Sequence, residues 1–173
     1  MSYFVVDVES DGPLLGVNSM ICFGAVKVDE ELKTTFYGQV EPISDIYDEE
    51  TLSISGFSRI QHESFNNVTV VFKEFYKWIL ENSIGQPILI SDNNQYDGSW
   101  INYYFLRFVG SNPFGYSSRR LGDLFCGIKG DVRTKWKHLR ITEHTHYPVD
   151  DAKGNAEIIL YMRDKLGLKI KLE

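Results

Sequence analysis

The sequence predicts an α/β fold, a central mixed sheet with helices packed on it. Three observations predict it. The first third of the chain is a set of β-branched and aromatic runs separated by tight turns. The remainder alternates segments of helical hydrophobic period with short apolar runs. Finally, 173 residues that are 43% hydrophobic and 14% aromatic suffice for one domain with a substantial core, so residues 1–173 are read as a single domain.

The elements follow in order. "SYFVVDVES" reads as a strand closing at Gly12-Pro13. "SMICFGAVKV" is a second strand, and after the polar turn Asp29-Glu30-Glu31, "KTTFYGQVEP" is a third, together a three-stranded antiparallel meander. "DEETLSISG" has acidic residues at its start and Gly56 at its end, as a short helix should. In "NVTVVFKEFYKWILENS", Val71, Phe72, Phe75, Trp78 and Ile79 recur at helical spacing. "QPILISDN" is a short buried strand, and "YDGSWINYYFLRFVG" a helix stopping at Gly110. A short strand near "SRRL" and a helix through "GDLFCGI" follow. The last helix opens near Pro148, a residue suited to a first turn, and stops at Leu166-Gly167. No internal repeat, low-complexity tract or long linker interrupts this order.

Composition narrows the function. The net charge of −6 rules out a broadly basic surface as the handle on a partner. A nucleic-acid ligand would need its phosphates offset by another route, for which bound divalent metal is the candidate. Cys22 and Cys126 form no CxxC pair, and Cys22 lies in an apolar run where a core position is expected. A basic stretch followed by a long apolar run is absent from the N-terminus, so no signal peptide or membrane span is expected, and the expected compartment is the reducing cytoplasm.

Three places along the chain offer inward-leaning carboxylates. Asp7 and Glu9, two apart on a strand, share a face. Two like charges so close repel unless a cation lies between them. Their plainer reading is an acidic pair on a fraying strand end. Asp97 follows the strand "PILIS" and opens the next helix, where the helix dipole alone would favour it. Asp92 is nearer the strand but falls in the loop, whereas Asp97 is in phase with Trp100, Ile101 and Tyr104, so helix phase prefers Asp97. In "HTHYPVDDAKGNA", Asp151 shares a helix face with Asn155, Ile158, Ile159 and Met162, while Asp150 shares a polar stripe with Gly154, Glu157, Tyr161 and Asp164. Asp151 should lean toward the sheet and Asp150 toward water, although both could simply decorate an acidic first turn.

Carboxylates converging from these places require metal. Hard oxygen ligands suit Mg²⁺ or Mn²⁺, and two such ions about 4 Å apart can clamp the attacking and leaving oxygens of a phosphodiester. A histidine before the last helix could act as base. Zinc fits less well, because neither cysteine is suitably placed. Elsewhere, His62 and His138 are expected at the surface, Trp78 and Trp100 in the core, and Trp136 is a candidate for stacking a base. Arg133, Lys135, Lys137 and Arg140 form a basic patch that is either a solvated loop or a guide for phosphates.

These residues resemble those of a known family. "FVVDVESDGP" resembles the Asp-x-Glu first motif of the DnaQ-like (DEDDh) 3′–5′ exonucleases, "SDNNQYD" their second, and "HYPVDDAKGNAE" their third, His, four residues, then Asp. The order matches and the resemblance spans nearly the whole chain. It implies a ribonuclease H-like fold and a two-metal exonuclease releasing nucleoside 5′-monophosphates from single-stranded RNA or DNA 3′ ends. RNA is slightly favoured because the domain is small and free-standing. Asp7 would bridge two divalent ions, Mg²⁺ or Mn²⁺. Glu9 and Asp151 would bind the first and Asp97 the second, and His146 would be the general base, with His144 a loop residue. Ser10, Asp11 and Gly12 would lie against the terminal nucleotide. Relatives such as ribonuclease T and oligoribonuclease dimerise, so a homodimer is one implied assembly. The second motif departs from many relatives, with Asp92 where they carry His and Gly98 directly after the aspartate. Two other readings compete: a non-catalytic binding module on the same fold, and a phosphoesterase using a ribonuclease H-like mechanism.

Overall fold

A computed structural model describes residues 1–172. The strands are β1 (Ser2–Ser10), β2 (Met20–Lys27), β3 (Thr35–Gln39), β4 (Pro87–Ser91) and β5 (Ser118–Arg120). They form one sheet in the order β3-β2-β1-β4-β5, antiparallel from β1 through β3 and parallel from β1 through β5. This is the meander-plus-parallel sheet that the sequence predicts, a ribonuclease H-like α/β fold.

The helices are α1 (Glu49–Ile54), α2 (Arg59–Glu63), α3 (Val68–Glu81), α4 (Ser99–Phe108), α5 (Leu121–Lys129) and α6 (Pro148–Leu166). Sequence reading misses α2, a five-residue helix with one buried side chain and so no apolar period to betray it. Its start is nonetheless marked by a capping box between Ser58 and Gln61. Just before α4, Asn94–Gly98 winds as a single wide π-helical turn, so Asp97 lies inside that turn rather than at the helix start.

Alternation along β1 divides the interior in two. Phe4, Val6 and Val8 face the aromatic layer of α3 and α4, where Phe72, Phe75, Trp100, Tyr104 and Phe105 interlock. Val5 faces the opposite layer, made by Leu121 and Phe125 of α5 and Ala152, Ala156, Ile159 and Met162 of α6. Asp7 and Glu9 share the face of Val5, so they point to α6. Val26 and Ile90 on the neighbouring strands complete this layer.

One glycine brings α6 close. Gly24 of β2 pairs with Asp7 in register, and a Cβ there would collide with the Pro148 backbone. The first turn of α6 thus rests directly on the sheet beside Asp7. Among the described residues, no helix is long and apolar enough to cross a membrane.

Candidate active site

The site lies where β1, β4 and the first turn of α6 meet. Oxygens of Asp7, Glu9 and Asp151 all fall within 4.8 Å of one another. Asp97 lies outside this triplet, yet its charge is the strongest acting on Asp7. The helix-phase expectation holds for α6: Asp151, Asn155, Ile158, Ile159 and Met162 are all buried. Asp97 is buried too, and Asp92 is only partly exposed because Lys137 pairs with it at 2.7 Å.

Crowding shows in the titration of these groups. Burial, then the charges of Asp97, Glu9 and Asp151, hold the Asp7 carboxyl well above the ordinary range, against a small opposing pull from Arg140. Burial also raises Glu9, opposed by His146. Asp97 is pushed up to about 7 by burial, although the Asn93 N–H donates to its Oδ2 at 3.1 Å. Negative charge here is costly in the protein alone. The donor set therefore fits a hard divalent cation, which would relieve the repulsion at its source.

Asp151 is held from several sides. Its Oδ1 accepts from Arg140 Nη2 at 2.9 Å and lies 2.7 Å from His144 Nδ1, while its Oδ2 accepts the His146 N–H at 3.0 Å. Arg140 is not a solvated phosphate guide: its guanidinium is buried over Gly154, where a Cβ would collide with it. Sequence spacing could not reveal this, because it depends on how residues 140–147 fold back on α6. His146 reaches Glu9, with Nδ1 3.5 Å from Oε1. Its backbone is left-handed, φ 59°, an unusual state for a non-glycine residue that turns both its N–H and its ring toward the carboxylates. His144 is likewise drawn in by Asp151, so it is more than a loop residue, and the two rings stand 4.4 Å apart.

The turn after β1 corrects one expectation. Asp11 does not present its side chain to a ligand; it is fully buried, accepting from the Ser19 N–H at 2.5 Å and from Arg59 Nη1 at 3.0 Å. His62, expected at the surface, is fully buried beside this pair, 3.1 Å from the Met20 carbonyl, and burial pushes its pKa down to about 4. It is therefore neutral, and it anchors the short helix α2 rather than facing solvent. Ser10 Oγ lies 2.5 Å from the Tyr96 hydroxyl, tying the first and second motifs together. Trp136, proposed to stack a base, is buried, whereas Trp100 packs in the core as expected.

With this geometry the chain has the fold of known nucleases. The nuclease domain of 3′hExo, a DEDDh family member bound to rAMP, superposes with a TM-score of 0.75 at 18% identity, covering 99% of this chain and 96% of that one. The zinc-bound E. coli ExoI–ssDNA complex gives 0.72 at 16% identity, covering 94% of this chain but 41% of that one. The 3′-5′ DNA exonuclease Cap18 of Escherichia coli is 29% identical over 184 residues, 97% of this chain and 94% of that protein. No family model matches the chain. The chain thus shares the fold of a DEDDh family member and is similar to a 3′-5′ DNA exonuclease over nearly its whole length.

Proposed function

We propose that residues 1–173 form a single metal-dependent 3′–5′ exonuclease domain that removes nucleoside 5′-monophosphates from single-stranded ends. The observation that carries this reading is the oxygen triplet of Asp7, Glu9 and Asp151, with Asp97 acting on it and His146 at its rim. Asp7, Glu9 and Asp151 would hold one divalent ion, and Asp7 with Asp97 a second, Mg²⁺ or Mn²⁺ in each case. Bound there, the ions supply Lewis-acid stabilisation of charge developing on the phosphate.

The protein groups do the remaining work. His146 takes the proton of the attacking water; its ring is half exposed, so the proton can pass on to solvent. Glu9, 3.5 Å from Nδ1, orients that ring. The backbone of residues 10–12 faces the terminal nucleotide, with Ser10 fixed by Tyr96 and the Asp11 side chain serving as an internal anchor.

The resemblance leans slightly to RNA, whereas Cap18, similar over nearly the whole chain, is a DNA exonuclease. Chain-length distributions from 5′-labelled DNA and RNA oligonucleotides with Mg²⁺ or Mn²⁺ test activity and sugar preference together. Ladders shortening from the 3′ end, with 5′-monophosphate release, are expected. Failure of every combination to release mononucleotide would sink the proposal. One observation favours a second reading: Asp151 is already engaged by Arg140 and His144, as in a site closed to metal. That reading, a non-catalytic binding module, expects oligonucleotide binding without turnover. The implied homodimer is checked by sedimentation.

A further inference from the structure

We propose that the cavity beyond Asp97, at the carboxyl end of β5, holds the phosphates of the strand upstream of the scissile one. This inference rests on the exonuclease reading and adds the path of the strand through the site. Charge distribution is its first support. Seven of the 18 Lys and Arg but only two of the 24 Asp and Glu fall in residues 119–140, a net of +5 within a chain of net −6. Acidic character overall thus hides one strongly basic stretch.

Position is the second support. In an open α/β sheet, ligands bind beyond the carboxyl ends of the parallel strands. Here β1 delivers Asp7 and Glu9, β4 leads to Asn93 and Asp97, and β5 ends at Arg120, in adjacent sheet order. Two strand spacings, about 10 Å, separate the first from the last. With the terminal nucleotide against residues 10–12 in the proposed reaction, the rest of the strand has a cationic path toward the end of β5.

A cavity of about 610 Å³ lies there. Its size is within the range of small-molecule sites. Asn93, whose N–H bonds Asp97, forms one wall; Arg120, Lys135 and Lys137 line the others, with Trp136 among them. Lys137 bridges to Asp92 across the mouth at 2.7 Å and remains 70% exposed. A phosphate entering beside it can take over that ammonium. Arg120 pairs with the exposed Asp123 on its own helix turn, a surface pair weak enough to exchange for phosphate. The cavity thus offers three cations to phosphate oxygens and a partly apolar wall to the sugar and base.

The test compares dT8 with dT2 as substrates of the wild-type protein and of an Arg120→Gln, Lys135→Gln, Lys137→Gln variant. The ratio of kcat/KM for dT8 over dT2 is expected to fall roughly tenfold in the variant. The salt dependence for dT8 should flatten by about 2 in log–log slope, as loss of three phosphate contacts to a single strand requires. Arg133→Gln, on the same exposed stretch but outside the cavity, is the control that should keep the ratio. An unchanged ratio and slope in the triple variant would overturn the inference while leaving the exonuclease reading intact. If neither substrate is cleaved, the exonuclease reading fails, and anisotropy of labelled dT8 still decides the binding claim: undiminished affinity in the triple variant overturns it. Should the triple variant melt early, Lys135→Gln alone carries the comparison, with a slope change of about 0.7.

Discussion

The two walls of the candidate active site are built on opposite terms. On the wall of residues 10–12, the polar side chains are themselves buried and paired: Asp11 holds Arg59 and the Ser19 N–H, and Ser10 meets Tyr96. On the wall of residues 144–147, the histidine rings are about half exposed and held by the carboxylates they face and by each other. The difference separates two tasks. In the proposed exonuclease, residues 10–12 would receive a nucleotide in one pose and would gain from order established during folding. The proposed base, which would exchange a proton with water at each turnover, needs access to solvent.

Substitutions can break this division, and the largest effect is expected from what the two walls share. Asp7→Asn should reduce mononucleotide release by at least about 10³-fold. The same change should raise the melting temperature of the metal-free protein at pH 8, because it removes a charge that burial and neighbouring carboxylates disfavour. Calorimetry beside the activity assay checks both signs, and a less stable Asp7→Asn protein would contradict the electrostatic account.

Next in size is the exposed wall. His146→Ala should cost about 10²–10⁴-fold in kcat, and His144→Ala no more than a few-fold. The reverse order in single-turnover rates would move the base role to His144, which the structure also brings to Asp151.

On the buried wall, the expected loss is in stability. Arg59→Ala leaves Asp11 without its cation in a fully buried position and should cost about 3 kcal/mol in urea unfolding. Loss of activity with no loss of stability would mean that Arg59 touches the nucleotide.

The smallest effect is on pH dependence. A carboxyl whose folded-state pKa lies above its unfolded value keeps a proton in the native state that the unfolded chain has already released. Stability then falls as pH rises between the two values. For Asp97 that window runs from 3.8 to about 7, so the metal-free protein should melt progressively lower across it. Asp97→Asn or saturating Mg²⁺ should flatten the slope. A metal-free melting temperature that climbs through this window would refute the assignment.

Much of this was readable in advance because strand and helix periods are local. The alternation of β1 put Asp7 and Glu9 on one face, and the phase of α6 chose Asp151 over Asp150; both are seen in the structure. The resemblance picked His146 by its interval from Asp151. Loops have no period, and there the reading failed. His62 is buried because α2 folds over the Asp11 turn, and Arg140 is buried because residues 140–147 return onto Gly154. Sequence spacing shows neither approach.

What the sequence by itself determined is the order of elements, the sheet that they build and the faces on which its acidic residues stand. Those follow from short-range hydrophobic pattern. Only the tertiary structure decided which charges are paired. Asp11 turned inward to Arg59, His144 was drawn to Asp151, and Gly24 let α6 settle beside Asp7. The physical reason is that pairing of charges depends on distances of a few ångströms between segments far apart in the chain, which no local period encodes.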